Sequence, residues 1–246
     1  MSATSARRAG RVRRFHEKFL VEARFVPASA RQGLYVWSAA LISVGVTAFT
    51  VILVDVVARD GISAIDAPLE NWFDASRSAS LTGVMIVLAI VFGPIALPII
   101  VLVVTVIWGI VAKHAWRPLL LACGMVSGLV IVQIITRIVG RPRPPVNLML
   151  FGVDTTASFP SGHVLGASDF VLLLTYLIFS RRKQLARTVI AFVIAVILIL
   201  AAATSRVYLG YHWPTDALAS VALSLVVLGS VIAVDTHRTV RTQRRE

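Results

Sequence analysis

The chain has 246 residues, of which 57% are hydrophobic and only 15% are charged. Its mean hydropathy of +0.84 lies well above that of soluble domains and excludes a water-soluble globular fold. The formal net charge of +12 is concentrated at the chain ends and in short gaps between apolar runs. Basic flanks of this kind are typical of membrane proteins beside anionic lipid, and we expect no nucleic-acid partner.

Apolar runs of about 18 or more residues predict membrane-spanning helices. A basic cytoplasmic tail over residues 1–34 comes first, and the apolar run that follows it is too long for the core of a signal peptide. A short apolar piece over residues 80–93 predicts an interfacial or re-entrant helix, with a seventh crossing as the alternative. A basic tail over 236–246 follows the last span. The fold class is therefore predicted to be all-α, a polytopic membrane helical bundle over residues 35–235 with six transmembrane helices and one short interfacial helix. The six predicted spans are 35–57, 94–112, 118–137, 162–180, 187–204 and 214–234.

The lysines and arginines between the spans indicate the orientation of the chain. With both chain ends in the cytoplasm, 18 of the 24 lysines and arginines lie in the two tails and in the turns at 113–117 and 181–187. The rest are arginines on the outer side, and most of them fall within polar clusters at the ends of spans. We therefore expect a multi-pass cell-membrane protein whose polar clusters face away from the cytoplasm.

Three polar clusters stand at the predicted outer face, where ionisable residues are candidates for a functional site. They are TRIVGRPRPP over 136–145, SFPSGHVLG over 158–166 and ATSRVYLGYHWPTDALA over 203–219. Their chemistry indicates a phosphate ligand, because Arg143 and Arg206 offer planar donor forks that match phosphate oxygens.

The second cluster predicts an anion site at the start of a helix. Ser161 fits the N-cap position, and Gly162 allows a ligand to approach the backbone closely. The exposed N–H groups and the positive end of the helix dipole favour an anion there. His163 lies in the first turn, where it could donate a proton to a leaving oxygen.

The third cluster predicts a histidine nucleophile with a carboxylate that orients it. Pro214 fits the first position of the last span, so Asp216 lies in its first turn, one turn past His212. The carboxylate can then hydrogen-bond one ring nitrogen of His212, which leaves the lone pair of the other nitrogen for the substrate. Two histidines in one pocket can take different roles: one attacks the substrate and the other protonates the leaving oxygen.

These clusters closely resemble the motifs of the type 2 phosphatidic acid phosphatase superfamily, which also includes glucose-6-phosphatase and the vanadium haloperoxidases. The family's motifs read Lys-x6-Arg-Pro, Pro-Ser-Gly-His and Ser-Arg-x5-His-x3-Asp. The second motif is complete at residues 160–163, and the third is complete over residues 205–216. The first keeps Arg143 and the proline after it.

One position departs from the family pattern. The family's lysine falls at Thr136, so the charge that it would supply is missing there. Arg137 is the next residue, roughly 100° further around a helix, and its long side chain could reach the same phosphate. Arg141 is the alternative donor.

The resemblance implies a role for each matched residue. His212 would attack phosphorus and form a phosphohistidine, Asp216 would orient it, and His163 would protonate the leaving lipid oxygen. No metal and no other cofactor are implied. The phosphoryl oxygens would be held by donors from all three motifs: Arg143, Arg206, Ser161 and the Gly162 amide, with Ser205 and Arg137 beside them.

The expected function is that of an integral-membrane phosphatase that hydrolyses a lipid phosphate or diphosphate. Candidate substrates are a polyprenyl diphosphate, phosphatidic acid and phosphatidylglycerophosphate, and the expected outward-facing site favours the first. A phosphotransferase that uses the same site is one alternative, and a non-catalytic protein that binds or transports lipid phosphates is another. The sequence does not indicate an oligomeric state.

Overall fold

The computed structural model describes residues 24–112, 114–181 and 184–242, so the predicted basic tails lie partly outside the described residues. Within these ranges the chain is largely helical, and two short strands, β1 (Arg24–Val26) and β2 (Val240–Thr242), flank the helices. The helices are α1 (Ala28–Ala58), α2 (Asp66–Ala75), α3 (Ala79–Val91), α4 (Ala96–Ala112), α5 (Trp116–Val139), α6 (Gly162–Phe179), α7 (Leu185–Tyr208) and α8 (Pro214–Thr239).

Five of the described helices are long and apolar enough to cross a membrane, namely α1, α5, α6, α7 and α8. Helices α3 and α4 meet the same criterion only as a pair, and they are bent by 53° at the break between them. The described residues therefore contain up to six candidate spans, which confirms the predicted all-α polytopic bundle. Helix α1 begins at Ala28 and α8 ends at Thr239, so both extend beyond the predicted spans.

Helix α3 corresponds to the predicted interfacial piece over 80–93. Its 13 residues make a helix of about 20 Å, which is shorter than a bilayer core of about 30 Å. Strand β1 pairs in parallel with β2, so the start of α1 and the end of α8 lie at the same end of the bundle. This arrangement requires an even number of crossings and speaks against the alternative of seven.

Helix α1 packs closely along α8 because small residues face each other. A Cβ atom added at Gly45 would lie 2.6 Å from the carbonyl oxygen of Ala222, and one at Gly229 would lie 2.8 Å from that of Ser38. The Ser38 hydroxyl donates a hydrogen bond to the Gly229 carbonyl at 2.7 Å. Small side chains let membrane helices approach in this way, and the contact holds α8 in place.

Helices α6 and α8 form the centre of the bundle and are the most buried of the candidate spans. They run parallel, because Ser220 of α8 donates to the carbonyl of Ser161 at 2.9 Å, and Ser224 donates to that of Leu165 at 3.4 Å. Their N-termini therefore lie side by side. Two positive ends of helix dipoles meet at this end of the bundle, where an anion is favoured.

Candidate active site

The structure brings all three polar clusters to the end of the bundle where α6 and α8 begin. Arg143 lies in the segment between α5 and α6, His163 in the first turn of α6, and His212 in the turn between α7 and α8. These three side chains and Gly162 line the same cavity. Residues that are far apart in the chain thus share one site, as the sequence pattern predicts for a phosphate-binding pocket.

His212 is held with one ring nitrogen towards the protein and the other towards the cavity. Its Nδ1 lies 2.8 Å from the Ser158 carbonyl oxygen and 3.5 Å from Oδ2 of Asp216. Its Nε2 lies 3.2 Å from Nη1 of Arg143. Because a carbonyl only accepts and a guanidinium only donates, the proton belongs on Nδ1 and the lone pair on Nε2.

Burial keeps this imidazole neutral. It lowers the pKa of His212 from 6.5 to about 4, although the neighbouring carboxylate of Asp216 opposes the shift. At neutral pH the ring therefore carries an unprotonated Nε2, as a nucleophile requires. The sequence pointed to Asp216 as the group that sets the tautomer, and the structure adds the Ser158 carbonyl, for which no sequence signal exists.

Asp216 is fixed in turn by a buried network of charges. Its Oδ2 accepts a hydrogen bond from the Trp213 N–H at 3.0 Å, and its Oδ1 pairs with Nη1 of Arg141. The other end of the Arg141 guanidinium pairs with Asp66 of α2 at 2.6 Å. Asp66 also accepts from the Thr215 N–H at 2.9 Å and from its hydroxyl at 2.6 Å. Arg141 is therefore engaged by two carboxylates, which corrects its alternative assignment as the phosphate donor that replaces the lysine.

Asp66 is a member of the site that sequence reasoning missed. It is 4% exposed, and it is separated by some 75 residues from Arg141 and by 149 from Thr215. It belongs to none of the three motifs, so only the folded chain shows that it supports Asp216.

The sequence predicts two arginines as phosphate ligands, and of these Arg143 lines the cavity. Arg143 donates to the Thr156 carbonyl at 2.9 Å and to the Tyr211 carbonyl at 2.6 Å, and it pairs with Asp154 at 2.8 Å. These contacts hold its guanidinium beside His212.

Arg206 lies at the end of α7 with only 5% of its surface exposed. Its guanidinium carbon lies 4.3 Å from the centre of the Tyr211 ring. Its Nε has no hydrogen-bond partner among the described residues. An unpaired buried donor is costly, and Arg206 is not among the residues that line the cavity.

The start of α6 has the predicted form of a capped helix. The Ser161 hydroxyl accepts a hydrogen bond from the Val164 N–H at 3.5 Å, and Ser161 is fully buried. Its hydroxyl therefore caps the helix. A Cβ atom added at Gly162 would meet no atom within 4 Å, so a ligand has room to approach this backbone. The break between α3 and α4 forms the opposite wall, since a Cβ at Gly93 would lie 3.6 Å from Nε2 of His163.

Two other predicted phosphate ligands lie away from this position. The Ser205 hydroxyl donates to the Met85 carbonyl at 3.2 Å, which joins α7 to α3. Arg137 is exposed and does not line the cavity, whereas its neighbour Thr136 does. The face of α5 that meets the cavity is thus the one on which the family carries its lysine.

The cavity has a volume of about 550 Å³ and extends from the histidines between α4, α5 and α6. Its walls are mostly apolar, and Leu102, Val126 and Leu129 on its rim are 63%, 58% and 57% exposed. An apolar groove that opens towards lipid suits a hydrocarbon chain whose polar head lies at the histidines. Within the described residues, no three His, Cys, Asp or Glu side chains form a group that could hold a metal ion.

Comparison with solved structures shows the same fold in two bacterial proteins. One is a transmembrane PAP2-type phosphatidylglycerolphosphate phosphatase from Bacillus subtilis, with a TM-score of 0.69 and 22% identity over 78% of this chain and 96% of the other. The second is LpxE from Aquifex aeolicus, with a TM-score of 0.53 and 19% identity over 69% of this chain and 95% of the other. No curated protein matches the chain in a sequence search.

The profile of the PAP2 superfamily matches residues 117–239, which is half of the chain and contains all three motifs. The match begins in α5 and ends with α8, so it covers the helices and connecting segments that contain Arg143, His163, Arg206 and His212. The chain therefore belongs to the PAP2 superfamily and is a membrane phosphatase of that family.

Proposed function

We propose that this protein hydrolyses a phosphomonoester or diphosphate at the head of a membrane lipid through a covalent phosphohistidine. The position of His212 carries the proposal. Its unprotonated Nε2 lies 3.2 Å from Arg143, where an apolar groove of about 550 Å³ begins. A phosphoryl group between the two side chains would lie within reach of a nucleophile and a cation, and its lipid tail would follow the groove.

The chemistry proceeds in two balanced steps. The lone pair of His212 Nε2 attacks phosphorus, the bond to the lipid oxygen breaks, and His163 donates a proton to that oxygen. The Ser158 carbonyl and Asp216 stabilise the positive charge on the imidazole, since both lie beside Nδ1. Water then attacks phosphorus and gives a proton to His163, the P–N bond breaks, and inorganic phosphate leaves.

Arginine side chains and helix N-termini supply the positive charge that the transition state needs. Arg143 and Arg206 offer guanidinium donors, and the start of α6 offers backbone N–H groups around Gly162. We therefore propose that the reaction needs no metal ion and no other cofactor. The Bacillus subtilis protein supports a lipid substrate, because it has the same fold and its name assigns it a phospholipid phosphate.

We also propose that the active site faces away from the cytoplasm and that both chain ends lie inside. The pairing of β1 with β2 supports this, because it places both ends of the described chain opposite the active-site end. The positive-inside rule then favours the basic ends on the cytoplasmic side.

The decisive experiment measures phosphate release from a short-chain lipid phosphate by purified protein in detergent, with and without a chelator. His212→Ala should abolish turnover, and brief reaction of the wild type with labelled substrate should trap an acid-labile phosphoenzyme. His114→Ala is the matched control, because His114 lies in the turn between α4 and α5 at the other end of the bundle. Near-normal turnover by folded His212→Ala would refute the mechanism, and loss of activity in chelator would refute its independence of metal.

A further inference from the structure

The guanidinium of Arg143 is surrounded by acceptors that belong to the protein itself. Its Nε donates to the Thr156 carbonyl at 2.9 Å, and its Nη1 contacts the Tyr211 carbonyl at 2.6 Å and Nε2 of His212 at 3.2 Å. Its Nη2 donates to the Thr156 hydroxyl at 3.0 Å and pairs with Oδ2 of Asp154 at 2.8 Å. A guanidinium has five N–H donors, and each of them therefore has an acceptor. A phosphoryl oxygen that binds Arg143 must replace one of these acceptors.

The acceptors differ in how readily a phosphate can take their place. Two of them are backbone carbonyls, which cannot leave without a movement of the chain. The carboxylate of Asp154 is the one anion among them, and its side chain is 33% exposed, so Oδ2 can turn towards solvent. A phosphoryl oxygen would replace it on Arg143 with a charge of the same sign.

Asp154 would remain beside the site after such an exchange. Its Oδ1 accepts hydrogen bonds from the Thr156 N–H at 3.0 Å and from the Thr156 hydroxyl at 2.8 Å. Only the contact of Oδ2 with Nη2 has to break, and the carboxylate can return to Arg143 when the phosphate leaves.

His212 is the second acceptor that a substrate replaces, because the lone pair of Nε2 has to turn from Arg143 to phosphorus for the attack. Nη1 and Nη2 of Arg143 then each release one N–H. Two parallel donors of this kind match the bidentate binding of two phosphoryl oxygens.

We propose that Asp154 is a resident anion on the phosphate-binding donors of Arg143, and that an incoming phosphoryl group displaces it. This inference rests on the proposed function in so far as Arg143 binds the phosphoryl group. Asp154 thereby determines how tightly the site binds phosphate. It also favours release of the product, because its carboxylate competes with inorganic phosphate for the same donors.

The test measures, by calorimetry and without turnover, the binding of inorganic phosphate and of vanadate to the purified protein in detergent. Asp154→Asn and Asp154→Ala should each bind both anions about tenfold more tightly, because binding no longer breaks an ion pair with Arg143. With a short-chain lipid phosphate the gain should appear as a lower KM, whereas kcat should not rise, because product phosphate also leaves more slowly.

Asp74→Asn is the matched control for the change of net charge. Asp74 lies on α2 at the active-site end of the bundle, and its half-exposed side chain pairs with Arg77. This variant should keep both dissociation constants within about twofold of the wild type.

The sign of the effect separates displacement from a purely structural role. If Asp154 only held Arg143 in place, its removal would loosen the guanidinium, and equal or weaker anion binding by both variants would overturn the proposal. A structure of the wild type with bound vanadate should show a vanadate oxygen on Nη2 in place of Oδ2. An Asp154–Arg143 pair that persists at 2.8 Å beside the vanadate would overturn displacement even if affinity rises.

These outcomes are independent of the proposed function, because inorganic anions are the probes. If the wild type releases no phosphate from a lipid, the proposed function fails, and the anion affinities still decide the role of Asp154. Anion binding by the variants alone would support displacement, whereas no binding by any of the proteins would overturn it. If Asp154→Ala does not fold, Asp154→Asn decides, because it keeps the size of the side chain.

Discussion

Replacing Asp66 with alanine tests whether catalysis depends on a residue that does not touch the substrate. Asp66 pairs with Arg141 at 2.6 Å, and Arg141 in turn holds Oδ1 of Asp216. Without Asp66, the guanidinium of Arg141 loses one of its two carboxylates, and the Thr215 N–H and hydroxyl lose their acceptor. The carboxylate of Asp216 is then held less firmly at its distance of 3.5 Å from Nδ1 of His212.

The magnitude follows from the contacts that are lost. A charge-assisted hydrogen bond contributes about 1.5–3 kcal/mol, so misplacing Asp216 should lower kcat by about ten- to hundredfold. Because the proposed phosphate ligands Arg143 and Arg206 are unchanged, KM should change by less than about twofold. Breaking a buried ion pair costs about 3–5 kcal/mol of stability, which corresponds to a fall in melting temperature of roughly 6–20 °C. Asp66→Asn keeps an acceptor for Thr215 and should lose less on both measures.

The assay combines phosphate release, analysed for kcat and KM, with thermal unfolding of each purified variant. Asp74→Ala is the matched control on α2, since Asp74 has a half-exposed side chain that pairs only with Arg77 in the described structure. A surface pair of this kind contributes little, so this variant should behave like the wild type. The reasoning is refuted if folded Asp66→Ala keeps its kcat within twofold of the wild type, or if the whole effect falls on KM.

Glu70 is 2% exposed, and burial raises its pKa from 4.5 to about 7 against the opposing charge of a nearby arginine. Because its folded-state pKa exceeds its unfolded value, its contribution to stability is fully present below about pH 4.5 and is lost as pH rises through about 7. Glu70→Gln should therefore melt higher than the wild type at pH 8.5 and equally at pH 4.5, and an equal difference at both pH values would contradict this. Thr136→Lys should raise kcat/KM about tenfold, because Thr136 lines the cavity. Arg137→Ala should change kcat/KM less than about twofold per folded molecule. A large loss in Arg137→Ala with no gain in Thr136→Lys would instead identify Arg137 as the substitute for the lysine. Single cysteines at Val153, which is 70% exposed, and at Gln184, in a background without the native cysteine, should react oppositely with a membrane-impermeant reagent in intact cells. Labelling of the second alone would invert the proposed orientation.

The sequence by itself determined the features that depend on neighbouring residues. Long apolar runs specify membrane helices because each helix satisfies its own backbone hydrogen bonds in lipid. Ser161 caps α6 and Asp216 falls in the first turn of α8, because capping and helix periodicity act over three or four residues. The spacing from His212 to Asp216 therefore indicated the nucleophile and the carboxylate beside it.

Only the tertiary structure decided which side chains share the work of the site. Arg141 and Arg143 are two residues apart, yet one is engaged by Asp66 and Asp216 while the other faces His212. The guanidinium of Arg141 is directed by partners on α2 and α8. The guanidinium of Arg143 is directed by partners in the segment between α5 and α6 and in the turn between α7 and α8. The local sequence carries no information about these partners. The same holds for Asp169, whose apolar surroundings in the sequence do not show whether it faces a neighbouring helix or an open groove. Local hydrogen bonding acts within a few residues of the chain, whereas the partner of a buried charge is set by how whole helices pack against one another.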